Sequence, residues 1–129
     1  MRRGVVAHDG RMPEKHSHPV PGGRGYWWTE GLWAASAHLP VRTVPISDIR
    51  EFDENCWFGD RPPTCREVAE HARRIEAADL SYPVVLGADG GLMDGGHRVA
   101  RAWIDGRTEV DAVRFEVDPP PDWVVPDPA

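Results

Sequence analysis

The residues with the clearest chemical pattern run Met93-Asp94-Gly95-Gly96-His97-Arg98. Two adjacent glycines between a strand and a helix have a physical meaning. The first takes a backbone angle closed to other residues, and the second lets a ligand come close to the main chain. The helix that follows offers unpaired N–H groups and the positive end of its dipole. An anion is stabilised there, and phosphate is the common case. Gly95, Gly96, His97 and Arg98 are therefore the candidate phosphate ligands, Arg98 through a charge-assisted contact. His97 can donate a hydrogen bond or move a proton near neutral pH. Asp94, at the strand end, can hold Mg2+ or orient a hydroxyl. The bare pattern supports a second reading equally well, a tight turn in which Arg98 pairs with an acidic neighbour.

Three further groups can do chemistry. Glu51-Phe52-Asp53-Glu54-Asn55 is an acidic loop, and Asp53 and Glu54 are candidate catalytic bases alongside Asp94. His71 lies close to the apolar stripe of a helix and reads first as a partly buried histidine with one hydrogen bond. Its functional reading is contact with the glycine loop and a phosphate. Cys56 and Cys65 form neither a disulfide framework nor a CxxC pair, and their spacing with His71 and His97 matches no usual zinc pattern.

The elements that would position these groups follow from periodicity and punctuation. Arg42 to Pro45 reads as a short strand. Thr64-Cys65-Arg66-Glu67 is a capping box that opens a helix to about Ala78, with Val68, Ala72 and Ile75 as its apolar stripe. Pro83-Val84-Val85-Leu86-Gly87 is wholly apolar and reads as a buried strand. Ala88-Asp89-Gly90-Gly91 is a hairpin turn, and Leu92-Met93-Asp94 is the returning strand. A second helix runs from His97 to about Asp105, with Val99, Ala100, Trp103 and Ile104 inward and Gly106 as its left-handed cap. Glu109 to Phe115 is a last strand. Near the start, Trp27, Trp28, Leu32 and Trp33 fall near helical spacing after Thr29 as a candidate cap, and burial is the expected fate of these aromatics. The order strand, helix, hairpin, helix, strand predicts an α+β (mixed α/β) fold with a small sheet covered by helices. Residues 1–25 read as a disordered tail, 26–117 as the domain, and 118–129 as a Pro- and Asp-rich tail.

The chain has 129 residues, enough for one domain. Its net charge of −6 gives no general attraction for nucleic acid or anionic lipid, so DNA is a poor partner and any anion site must be local. No apolar run approaches the ~20 residues of a membrane span. No signal peptide is visible, and a cytoplasmic location is expected.

From Val44 to Phe115 the chain resembles the ParB/sulfiredoxin superfamily. The resemblance rests on Val44-Pro45-Ile46-Ser47-Asp48-Ile49, on the helix before Tyr82-Pro83-Val84-Val85-Leu86, and on Leu92-Met93-Asp94-Gly95-Gly96-His97-Arg98-Val99-Ala100-Arg101-Ala102. Gly95 and Arg98 match the ends of that family's GxxR phosphate motif, and Ala102 matches the alanine that usually follows. The sequence is most similar to small stand-alone bacterial ParB-like proteins with a DGxHR signature. It departs from the better-known members at Gly96, where sulfiredoxins carry the catalytic cysteine and partition ParB proteins a glutamate. Sulfinic-acid reduction and CTP hydrolysis of those kinds are therefore not expected. The superfamily also includes free-serine kinases, which rely on an acidic residue in a region comparable to Glu51, Asp53 and Glu54.

The resemblance implies a site for a nucleoside di- or triphosphate with Mg2+, used in phosphoryl transfer to a small-molecule acceptor or in nucleotide hydrolysis. A second reading is a non-catalytic nucleotide sensor that signals to a protein partner through Trp27, Trp28 or Trp33. A nuclease is the third, and the charge argues against it.

Overall fold

The structure, a computed structural model, describes residues 14–129. In chain order it contains β1 (Lys15–Val20), β2 (Gly23–Trp28), α1 (Thr29–Ser36), β3 (Arg42–Pro45), α2 (Cys65–Glu76), β4 (Val84–Leu86), β5 (Leu92–Asp94), α3 (Gly96–Ile104), β6 (Glu109–Arg114) and β7 (Trp123–Pro126). Two short 3-10 turns, Ile46–Asp48 and Arg50–Asp53, follow β3. The fold is mixed α+β, as composition and periodicity predict.

The apolar run of β4 explains the layering. Successive side chains of a strand point to opposite faces, so a strand with no polar side chain needs cover on both. Val84 and Leu86 enter one core with Ile46, Ile49, Val99, Ala102, Val110 and Ala112. Val85 enters a second core with Trp27, Leu32, Met93, Val113 and Phe115. The sheet between them has the order β3-β6-β4-β5. β6 runs antiparallel to β3 and parallel to β4, and β4 runs antiparallel to β5. α3 covers one face, with α2 packed against α3, and α1 with β2 covers the other.

The local signals for α2 and for the β4–β5 hairpin behave as chemistry dictates. Thr64 accepts from the Glu67 N–H at 3.2 Å, and the Glu67 carboxylate accepts from the Thr64 N–H at 2.9 Å, closing the capping box of α2. The β4–β5 hairpin closes through Gly87 N–H to the Gly91 carbonyl at 2.8 Å, and Asp89 Oδ1 accepts from the Gly91 N–H.

Other expectations change. The part of the N-terminal segment that is described, residues 14–25, forms an antiparallel hairpin with β2 continuing to Trp28, while residues 1–13 lie outside the described residues. The C-terminal segment supplies β7, which pairs with β2 from Gly23↔Pro126 to Tyr26↔Trp123. A Cβ at Gly23 would stand 2.2 Å from the Val125 carbonyl oxygen, so this pairing needs the glycine. The predicted domain limits at 26 and 117 therefore cut through a three-stranded sheet, β1-β2-β7. Tyr26, Trp27 and Trp28 belong to β2, and α1 begins at Thr29 without a side-chain cap. Of the aromatic set, Trp27 is buried and Trp33 is 46% exposed.

On α3 the buried residues are Val99, Ala100 and Ala102. Trp103 and Ile104, at the last two positions of the nine-residue helix, are 60% and 62% exposed and not inward. The Trp103 ring lies beside Phe52, with centroids 6.0 Å apart. Val68 on α2 is half exposed, and no residue of that helix is fully buried.

Candidate functional site

The glycine pair lies where the pattern predicts, between β5 and α3. Gly95 has φ +115° and ψ +20°, a left-handed conformation that favours glycine. Space forbids a side chain there as well, since a Cβ would stand 2.6 Å from Val84 Cγ1. Gly95 is the cap residue of α3 and offers no side-chain acceptor. The N–H groups of the first turn, from Gly96 to Arg98, therefore open the helix without a cap from Gly95 itself.

Two histidines and a tryptophan frame that mouth. Trp57, from the loop after the Arg50–Asp53 turn, lies over Gly96, where a Cβ would be 3.2 Å from its Nε1. Its indole stacks on His97, with centroids 4.5 Å apart and planes 3° apart, and on His71, at 4.8 Å and 14°. His71 Nδ1 and His97 Nε2 are 2.7 Å apart, a hydrogen bond between imidazoles on α2 and α3. Phe58 meets His71 edge-on at 4.9 Å. Burial is the main influence that pushes the His71 pKa below the ordinary histidine value, and Arg74 adds to it. Contact of His71 with the glycine-loop helix is therefore observed.

Asp94 and Arg98 are occupied by each other. The Arg98 guanidinium donates to Asp94 Oδ2 at 2.5 Å and to the Pro83 carbonyl at 2.8 Å. Both side chains of this pair are largely buried. The same Asp94 oxygen accepts from Trp33 Nε1 at 2.7 Å. Arg98 thereby ties the start of β4 to the start of α3, the second of the two readings open from the sequence.

Among the described residues no three His, Cys, Asp or Glu side chains are grouped to hold a metal. With its Oδ2 already accepting two hydrogen bonds, Asp94 fits a resident Mg2+ poorly. A cation carried in by a polyphosphate would lean on the ligand's own oxygens.

In the acidic loop, Asp53 and Glu54 are exposed, and the structure does not bring them to the helix mouth through any described contact. Glu51 is the unusual carboxylate. Its Oε2 is 3.3 Å from Arg50 Nε, and its buried Oε1 has no hydrogen-bond partner among the described residues. His16, on β1, stacks against Trp27 with centroids 5.7 Å apart. Burial lowers its pKa, with His18 and Arg24 adding to the effect, while the charges of Glu51 and Asp94 oppose it. The sequence reads His16 as a solvated histidine of a tail, because nothing local shows that its segment pairs as β1. It missed Trp57 because nothing local to Cys56-Trp57-Phe58 shows that the loop folds back over Gly96.

What the arrangement can do follows from its groups. Backbone donors, an imidazole pair and an indole cover together suit a compact anion. No guanidinium of the GxxR motif is left over to meet it. A cavity of about 460 Å3 beside Tyr82 and Arg107 borders this site through Arg98 and Val84. No described helix is long and apolar enough to cross a membrane. Comparison with protein-family models, with curated proteins and with solved structures gives no match.

Proposed function

We propose that this protein binds the phosphates of a nucleotide at the mouth of α3 and acts as a ParB/sulfiredoxin-like phosphoryl-transfer or nucleotide-hydrolysing enzyme. The observation that carries the binding half is the opening of α3 at Gly95, which is left-handed and makes no side-chain cap hydrogen bond, followed by Gly96 and His97 in the first helical turn. Backbone amides and the helix dipole supply the anion site, and His97 supplies a further donor. Arg98 acts one step removed, holding the loop through Asp94 and Pro83. Mg2+, if used, arrives with the nucleotide.

A thermal-shift series with ATP, ADP, CTP and GTP, with and without Mg2+, tests the binding. A nucleotide that binds only the folded state raises the melting temperature with concentration. No shift with any of the four at millimolar concentration overturns the reading. A phosphate-release assay on the nucleotide that binds then tests the enzyme.

One observation favours the non-catalytic sensor as a second reading. Asp94 and Arg98 satisfy each other, and Trp33, whose Nε1 holds Asp94, is half exposed. A partner that covers Trp33 would be felt at the base of α3. Calorimetric binding with no turnover over hours selects this reading.

A further inference from the structure

We infer that residues 55–59 form a hinged lid over the start of α3, with the Trp57 indole seated on Gly96 and on the His71–His97 pair. The lid is a property of the fold itself and stands whether or not a nucleotide binds beneath it.

The turn is built as one unit. The Asn55 side chain spans it, donating to the Gly59 carbonyl at 2.9 Å and accepting from the Phe58 N–H at 3.1 Å. A side-chain amide bonded in this way to nearby backbone holds a turn in shape without help from a helix or a sheet. Gly59 takes φ +66°, where glycine is favoured. Trp57 and Phe58 stand between these fixed ends, so their rings move together.

The chain on either side of the turn is anchored. The Glu54 N–H donates to the Glu51 carbonyl at 3.1 Å, and Arg61 grips Glu67 at the start of α2 with two hydrogen bonds. Among the described residues, the polar tie from the turn itself to the rest of the fold is the Cys56 thiol on the Glu51 carbonyl at 3.4 Å, and a thiol is a weak donor. The turn is seated on α2 and α3 by ring contacts, Trp57 on both imidazoles and Phe58 on His71. An internally rigid segment, weakly held between firm anchors, has its hinges at its two flanks.

The seat gives the second glycine a structural role. A Cβ at Gly96 would stand 3.2 Å from Trp57 Nε1, so the indole settles there because Gly96 carries none. The space that the sequence pattern assigns to an approaching ligand is taken by the protein's own ring. A molecule that reaches Gly96 from this side has first to lift Trp57, which is already 36% exposed. A seat made of a few ring pairs leaves an open state populated at about 0.1–10%.

Fluorine NMR of the full chain labelled with 5-fluorotryptophan tests the lid, the Trp57 signal being the one lost in Trp57→Phe. Relaxation dispersion and saturation transfer together cover the microseconds to tens of milliseconds in which lids open. Trp57 is expected to exchange with a minor state, while the buried Trp27 does not. The backbone 15N signals of residues 55–59 are expected to share the rate and population of the indole. Asn55→Ala is expected to break that agreement. Gly96→Ala is expected to raise the open population roughly tenfold, since a crowded Cβ penalises the seated state alone. A Trp57 signal with no minor state overturns the lid, as do unrelated rates within the turn of the parent chain. An open population unmoved by Gly96→Ala overturns it too, because the indole would not then be seated on that glycine.

Discussion

The two adjacent glycines carry unequal burdens, and substitution should separate them. Gly95 combines a left-handed backbone with a would-be Cβ 2.6 Å from Val84 Cγ1. Gly95→Ala is expected to cost roughly 2–4 kcal/mol, the sum of a forbidden backbone angle and overpacking, read as a lower urea midpoint. Gly96 has helical geometry, and a Cβ there meets only the indole tip of Trp57 at 3.2 Å. Gly96→Ala should leave stability within about 1 kcal/mol of the parent, because a helical alanine is favoured over glycine and the loop-borne indole can shift. Any loss in the Gly96 variant should appear in nucleotide affinity instead. If both substitutions destabilise equally, the glycine pair is only a turn. The glycines and His97 were legible as a unit in the sequence, because the chemistry of a helix start is local. The partners of Arg98 were not. Its carbonyl acceptor Pro83 lies fifteen residues away, and only the pairing of β4 with β5 brings it close.

Elements whose signals are local appear where the sequence puts them, and those stabilised from a distance do not. α2 shows the first case. Its capping box is complete, and Arg61 adds a two-pronged contact to Glu67 at 2.8 and 2.7 Å. That pair, with the Thr64 hydrogen bonds, lowers the Glu67 pKa to about 2. A carboxylate with a depressed folded pKa stabilises above its unfolded value and loses that contribution as pH falls through the folded one. The α2 start should therefore weaken between about pH 4.5 and 2, seen as loss of amide protection at Glu67 and Val68 in hydrogen exchange. Thr64→Ala should cost about 1 kcal/mol at neutral pH and leave the α3 mouth intact. An unchanged urea midpoint in this variant would mean that the cap is idle. The β1–β2 hairpin shows the second case. His, Pro and Gly have little intrinsic strand preference, so nothing in Lys15-His16-Ser17-His18-Pro19-Val20 announces a strand. β1 exists because β2 pairs with it, and β2 is held in turn by β7 from the far end of the chain. α3 sits between these cases. Its helical period was visible, but Trp103 and Ile104 were assigned inward because periodicity does not say how far a helix overlaps its sheet.

At the scale of the molecule, the two cores share one sheet, so the β1–β2 hairpin, the C-terminal β7 and the site belong to one folding unit. Tyr26 stacks on Trp123 with centroids 5.0 Å apart and planes 3° apart, and Trp27 Nε1 donates to the Pro119 carbonyl at 2.8 Å. The C-terminal segment is thus bonded to the hairpin that holds the half-buried His16, and His16 in turn lies in reach of the charges of Glu51 and Asp94. This arrangement makes overall stability depend on pH in a defined direction. Burial lowers the pKa of both His16 and His71. A histidine whose folded pKa lies below its unfolded value of about 6.5 leaves the unfolded chain holding more protons at acid pH. Its contribution is therefore full above about pH 6.5 and is lost as pH falls through the lower folded value. Urea unfolding in half-unit steps from about pH 8 to 5 should show a flat midpoint that then declines, with an unchanged slope of free energy against urea. His16→Gln should flatten part of the decline, and His71→Asn another part. Because His16 sits in the hairpin and His71 on α2, the two effects should add if one cooperative transition covers both cores. A midpoint that rises on acidification would reverse the sign assigned to both imidazoles. Two separate transitions, one insensitive to His16, would instead show that the β1-β2-β7 sheet unfolds apart from the sheet that positions α3.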